Sequence, residues 1–515
     1  MFIHPTLGLQ ADHLDRDASE AVLSTKNTSA PINRIPPELF SLIPQYWGEI
    51  YPDKNLISLT HVCQRWREVL TACSALWTHL ECKHVEKTRT YIERSKSSPL
   101  EITLYEFGAS DDYLKDAFLL VIPHISRIMS VRIVGGEDLL QHFTKHFSCP
   151  VPLLRHLDLQ LTFNPPPVLN NVLFDGNVPS LRTLTMGGVI PHLPWGNLPQ
   201  LTTFTISRLV STEVLSVTRL LDVFSDAPLL SKIELRAIPK SSDAPPRRLV
   251  SLPCLESLTI LTGQTHISTL LNHLSIPTGA FLHLELDFDG VESPLPKFLP
   301  KNPETLRNIH HITSAYLYFE LTVVIIKLDG PSGGLNMRGD RADWIGPTTT
   351  MVSERNTLSS LDYFDTSKIQ RLAFTRYGFP MHDEIDESLR YVLSIMRDLH
   401  TLFLNQCNIL PFISALDPGR NSKKSVPCPK LEELVLFIED EERFYITELM
   451  NMAKGRALIG AKFGSITVIG LEGVVPEDDV FKLRECVEHV ECRFEEHEPG
   501  WDGIPDYGRN RSREG

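Results

Sequence analysis

The sequence predicts an α/β fold in which a small all-helical module leads into a long array of strand–helix repeats. Three observations predict it. Between residues 35 and 80 apolar residues recur at helical spacing. Further along, a short phrase of alternating apolar residues returns again and again at intervals of 20 to 29 residues. The chain of 515 residues, 42% of them hydrophobic, also exceeds what one hydrophobic core normally holds.

The elements follow in order. Residues 1–31 are rich in polar side chains and read as a disordered tail. In the module, residues 32–80, Pro36 and Pro37 suit a first helical turn, whose early N–H groups lack intrahelical partners. Leu39, Leu42 and Ile43 form the stripe of that helix, and Pro44 predicts a break with a restart through Gln45 to Ile50. Leu56, Leu59, Cys63, Trp66 and Leu70 then step by three, four, three and four residues, which predicts one amphipathic helix ending near Leu70, its face broadened by Val62 and Val69. Residues 81–126 read as a connecting segment.

The segments IPPELFSLI, LISLTHVCQRWREVL and SALWTHL closely resemble an F-box, in the version common in mushroom-forming fungi. The resemblance rests on the Pro-Pro-Glu-Leu start, on His61, Val62, Cys63, Trp66 and Arg67, and on Ser74, Leu76 and Trp77. It implies docking on a Skp-family adaptor, and through it on a cullin scaffold. Pro36, Pro37, Leu39, Ile43, Leu59, Val62 and Trp66 would lie partly in the adaptor groove and partly in the module's own core.

Residues 127–492 carry the repeats. First anchors at Leu154, Leu181, Leu201, Leu230, Leu255 and Phe281 lie 27, 20, 29, 25 and 26 residues apart. Further copies begin at Ile369, Leu399 and Leu431, and Ile128 and Phe463 extend the series at its ends. In six copies a proline stands two residues ahead of the anchor, ending the preceding segment. Alternation in each phrase suits a short strand, and helix-like stretches lie between. The best of these, Glu213 to Phe224, has Ser211-Thr212 at its entry as a cap. One strand and one helix cannot bury an apolar face alone, so neighbours must stack into a curved solenoid with a parallel sheet on its concave side. The array resembles degenerate leucine-rich repeats. From about 290 to 365 the pattern loosens into an irregular insertion, a repeat with a long loop that includes Gly330 to Gly346 and is a candidate partner contact. Residues 493–515 read as a mobile tail.

Composition excludes several functions. A net charge of −14 and no visible Lys/Arg cluster argue against nucleic acid and anionic membranes as partners. No run of about 18 apolar residues predicts a membrane span, and the nine scattered cysteines, Cys63 and Cys254 among those on apolar faces, fit reduced buried thiols. A cytoplasmic or nuclear location is expected. Gly330 to Gly334 lacks the Gly-Lys-Ser/Thr ending of a phosphate loop. His142 and His146 have helical metal-ligand spacing without the glutamate of a zinc hydrolase, and His79, Cys82 and His84 lack a second ligand pair. Arg338-Gly339-Asp340 would matter only in an extracellular protein, and Glu439 to Glu442 reads as a solvated loop. No nucleophile elbow is present, so no catalysis, cofactor or metal is expected.

The resemblance to F-box proteins with leucine-rich repeats implies a substrate receptor of an SCF-type, cullin-RING ubiquitin ligase, with the repeats holding a target protein. The other reading is a non-degradative scaffold whose F-box-like segment caps the solenoid. Concave-face candidates such as Arg182, Thr185, Thr203, Lys232, Glu234, Glu433 and Val435 mix both charge signs and name no ligand class.

Overall fold

The computed structural model describes residues 31–40, 42–43, 52–106, 112–161, 172–188, 198–207, 216–236, 248–261, 266–287, 298–320, 323–340, 358, 361–376, 385–405, 407–420, 426–438, 445–470 and 477–494. They form mixed α/β structure with a large, mostly parallel sheet. The chain divides into two compact units, residues 1–198 and 199–515. Among the described residues no helix is long and apolar enough to cross a membrane.

In the first unit the helical segment leads into β1 (His79–Leu80), β2 (Leu100–Tyr105), β3 (Ile128–Gly135), β4 (His156–Leu161) and β5 (Thr183–Gly187). Each pairs in parallel with the next. The register stacks like on like: Ile102, Val131, Leu157 and Leu184 form one row, and Leu104, Ile133, Leu159 and Met186 the next. All eight are buried, because alternate side chains point to one face and the connecting helices cover it. The segment expected to be a mere connection, residues 81–126, therefore carries β2 and the helices Val85–Ser95 and Asp112–Leu119. Its strand reads LEITLY, without the spaced anchor that marks the later copies.

In the second unit β6 (Thr203–Ser207), β7 (Lys232–Arg236), β9 (Ser257–Leu261) and β11 (Phe281–Asp287) are parallel neighbours, while β8 (Val250–Ser251) and β10 (Leu274–Ser275) make a separate small pair. The helix Val217–Asp226 starts later than expected, because Ser216 caps it by accepting from the Arg219 N–H at 3.2 Å. The expected cap at Ser211-Thr212 lies outside the described residues. At β11 the repeat frame differs from the sequence expectation: Leu282 and Leu284 stand opposite Leu258 and Ile260. Phe281, read as an inward anchor, is 53% exposed.

The irregular stretch turns out to be part of the sheet. After β11 the chain runs to β12 (Ser314–Phe319), reverses into β13 (Val323–Asp329) and reverses again into β14 (Gly334–Asp340). The antiparallel meander fills the space between two parallel runs, with β14 against β11 and β12 against β15 (Arg371–Arg376). Much of the predicted glycine-rich loop is therefore strand. The parallel order resumes through β16 (Thr401–Asn405), β17 (Glu433–Ile438), β18 (Ser465–Gly470) and β19 (His489–Phe494). In β16 both faces are buried: Leu402 and Leu404 on one, Phe403 and Asn405 on the other. That explains near-continuous apolar strands such as ELVLFI and SITVIG.

Helices Ile385–Ile395, Leu410–Leu416 and Ile446–Leu458 pack in succession beside these strands. From the last, fully buried Arg456 donates to the carbonyls of Pro427 and Cys428, both at 2.8 Å, and stacks over Phe463. A buried guanidinium thus satisfies backbone carbonyls at a turn where Cys428 adopts a positive φ of 44°.

Candidate functional site

The helical segment builds a small core and leaves an apolar surface. Pro31–Arg34 forms a 3-10 turn and Pro37–Phe40 a single helical turn, with Pro37 at the position where its missing N–H costs nothing. Helix Pro52–Thr60 follows, then helix Gln64–Ala72. The single helix expected from Leu56 to Leu70 is interrupted at His61, Val62 and Cys63, where Cys63 is extended (φ −159°, ψ 170°). The interruption is satisfied locally. His61 and Val62 N–H groups bond back to Ser58 and Leu59 carbonyls, and the Arg67 guanidinium donates to the freed Thr60 carbonyl at 3.0 Å.

Folding back across this break joins Leu59 and Leu70 in one core, against which Ile35, Ile43, Trp66, Val69 and Leu76 pack. Arg65 ties the amino-terminal strand of chain to it by donating to the Ile35 carbonyl at 3.2 Å. Ile35, Arg65, Trp66 and Val69 line a shallow depression there. The seven predicted docking residues thus separate. Leu59 is buried at 4% exposure and Ile43 and Trp66 are half-buried, whereas Leu39 and Val62 are each 57% exposed and Pro36 and Pro37 are exposed too. Leu42, Ile57 and Ile32 add to the exposed apolar surface. The expected break at Pro44 lies outside the described residues.

Trp77 connects this segment to the strands that follow. Its indole N–H donates to the Leu70 carbonyl, Tyr91 meets its ring edge-on at 4.9 Å and Arg94 lies over it at 4.3 Å.

The small motifs resolve as structure. Gly330 to Gly334 is the turn between β13 and β14, strand to strand, whereas a phosphate loop opens a helix. Arg338, Gly339 and Asp340 lie within β14. His142 and His146 share one face of helix Glu137–His146 with ring centroids 5.0 Å apart, and burial with nearby cations pushes His142 below the usual histidine range. Cys82 is buried at a positive φ of 52°, and burial pushes its thiol up to about 12. Among the described residues no group of three or more His, Cys, Asp or Glu is placed to hold a metal ion. The cysteines are free thiols, but Cys254 is exposed and Cys63 half-buried, against expectation; Cys82, Cys407, Cys428 and Cys486 are the buried ones. Cys254 sits in the Pro253-Cys254 approach to Leu255, where the chain turns at the surface.

The concave-face candidates Thr185, Thr203, Glu234, Glu433 and Val435 fall on strand faces opposite the buried rows, half-buried, with Lys232 exposed and Arg182 exposed just ahead of β5. Missed in the sequence was a basic grouping in the first unit. Arg132, Arg155, His156 and Arg182 are exposed and lie on or just before three adjacent strands. They are up to 50 residues apart in sequence and become neighbours only through strand stacking. Arg132 pairs with Asp158 at 3.1 Å and lies over Tyr105.

No protein-family model matches the chain, and no curated protein matches it in sequence.

Proposed function

We propose that the chain is the substrate-recognition subunit of an SCF-type, cullin-RING ubiquitin ligase. Residues 32–80 act as an F-box that docks on a Skp-family adaptor, which joins it to the cullin. The strand–helix units act as a leucine-rich-repeat-like solenoid that holds a target protein. The chain performs no chemistry of its own in this reading; other subunits transfer ubiquitin, and the receptor supplies proximity.

The observation that carries the reading is the division of apolar side chains in the helical segment. Leu59, Ile43 and Trp66 serve its own core, while Pro36, Pro37, Leu39 and Val62 remain at the surface. A segment that only capped the repeats would bury nearly all such surface, whereas a docking surface keeps part of it for a partner, at about 25 cal/mol per Å² on burial. Stacked leucine rows support the solenoid half of the reading.

Trp77 favours a second reading, the non-degradative scaffold with a helical cap. Its bond to Leu70 and its packing on Tyr91 and Arg94 join the helical segment to the first repeat as a cap would.

The test is capture of the purified chain by a Skp-family adaptor, wild type against a Pro37→Ala, Leu39→Ala double variant. Both side chains are exposed, so the variant is expected to fold, which circular dichroism and thermal denaturation check. Capture that the variant loses supports the receptor; a folded wild type that is not captured leaves the scaffold.

A further inference from the structure

We propose that His142 and His146, on one face of helix Glu137–His146, form a two-point site for a borderline transition-metal ion such as Ni(II) or Zn(II). The site goes beyond the ligase reading and does not depend on it. Residues four apart on an α-helix are neighbours, and here the two ring centres stand 5.0 Å apart. An imidazole nitrogen binds such an ion at about 2.0–2.1 Å, which puts the ion about 3.2 Å from a ring centre. Two centres 5.0 Å apart then subtend about 100° at the ion. That falls between the octahedral angle of about 90° and the tetrahedral angle of about 109°. Turning each ring about its Cβ–Cγ bond, a soft torsion in histidine, brings the nitrogens round while leaving the ring centres nearly in place.

A second observation points to a ligand. The Nε2 atom of His142 is shut off from water and has no hydrogen-bond partner, an orphan that a bound ion would satisfy. Both histidines are half-buried, so the pair keeps a route to solvent. Phe118 of helix Asp112–Leu119 lies 6.2 Å from the His146 ring, and Phe143 lies 5.8 Å from the His142 ring. These apolar walls supply no oxygen ligand, and an imidazole pair suits nickel, copper or zinc and not calcium or magnesium. Burial, and then the charges of His146, Lys115 and Lys145, push His142 below the usual histidine range. A neutral ring is the form that binds metal, while the two lysines repel a dication and hold the site to moderate affinity. Among the described residues no third His, Cys, Asp or Glu joins the pair, so water completes the shell. The missing glutamate that argues against a zinc hydrolase does not argue against binding, which needs only the two rings.

The test is calorimetric titration of the full chain with Ni(II), and with Ca(II) for comparison. Wild type is expected to bind Ni(II) and to melt at a higher temperature in its presence. His142→Gln and His146→Gln are each expected to weaken the tightest Ni(II) site about tenfold or more, at least what loss of a supporting contact costs at metal sites. The double variant is expected to bind no more weakly than either single one, because a two-point grip fails when either ring is removed. His489→Gln, which removes an exposed histidine from the second unit, is expected to bind like wild type. Circular dichroism checks that each variant is folded, and either single variant alone suffices for the comparison. Absent Ni(II) binding, wild-type affinity in both folded single variants, equal weakening by His489→Gln, or Ca(II) binding as tight as Ni(II) each overturns the proposal.

Discussion

The indole N–H of Trp77 donates to the main-chain carbonyl of Leu70 at 2.9 Å, with both residues buried. Leu70 ends the core-facing stripe of helix Gln64–Ala72, and its carbonyl lies in the last turn, where intrahelical donors run out. Trp77→Phe keeps most of the ring but strands that carbonyl. It is expected to cost about 1–3 kcal/mol, read as a lower urea midpoint with unchanged slope. Trp77→Ala also leaves a cavity under Tyr91 and Arg94, and is expected to cost about 3–5 kcal/mol.

A turn residue governs the meander. A Cβ on Gly333 would collide with the Thr278 carbonyl oxygen and come within 2.6 Å of the Ala280 oxygen, both rigid backbone. Gly334 donates to that same Ala280 carbonyl at 3.2 Å, so the turn cannot back away without losing a sheet bond. Gly333→Ala is therefore expected to destabilise by about 2 kcal/mol or more, and hydrogen exchange should show the loss first in β13 and β14.

Much of the fold was legible in the sequence because buried rows must repeat. Leu154, Leu181, Leu201, Leu230 and Leu255 each mark a turn just before a strand, and all five are buried. At Phe281 the same pattern misled: apolar residues stand at 281, 282, 284 and 286, and spacing alone does not choose the frame, whereas pairing with β9 does. The meander was hidden because reversal of strand direction leaves no trace in hydrophobic period. In the helical segment, the three-and-four spacing survived a break that it could not reveal, since Leu59 and Leu70 meet equally well in a bent pair of helices. Arg155 and Arg182 were invisible as a pair because 27 residues separate them.

Two carboxylates on the first unit's sheet are expected to act oppositely on acid stability. The His79 imidazole, 3.9 Å from its carboxylate, and then attraction to His156 hold Glu101 below the usual glutamate range against the effect of burial. Its stabilisation is present above about pH 4.3 and is lost as pH falls through the lower folded value. Burial pushes Asp158 above the usual aspartate range, against the bond from Gln160 and the charge of Arg132. Ionised Asp158 thus costs stability, and the cost is relieved as pH falls through its raised value toward about 3.9. Urea midpoints from pH 6 to 3 should decline less steeply in Glu101→Gln than in wild type, and more steeply in Asp158→Asn.

The docking and folding roles of the helical segment separate at Leu59 and Val62, three residues apart, the first in helix Pro52–Thr60 and the second in the break that follows it. Leu59 is buried against Leu70, so Leu59→Ala is expected to cost about 2–5 kcal/mol and to weaken adaptor capture only in proportion to the folded fraction. Val62 is 57% exposed, so Val62→Ala is expected to leave stability within about 0.5 kcal/mol. If Val62 faces an adaptor, that variant alone loses capture at full folding. Thermal denaturation beside a capture titration reads both quantities on the same samples. Unchanged capture by Val62→Ala together with unchanged capture by Pro37→Ala, Leu39→Ala would assign the exposed surface to some contact other than an adaptor.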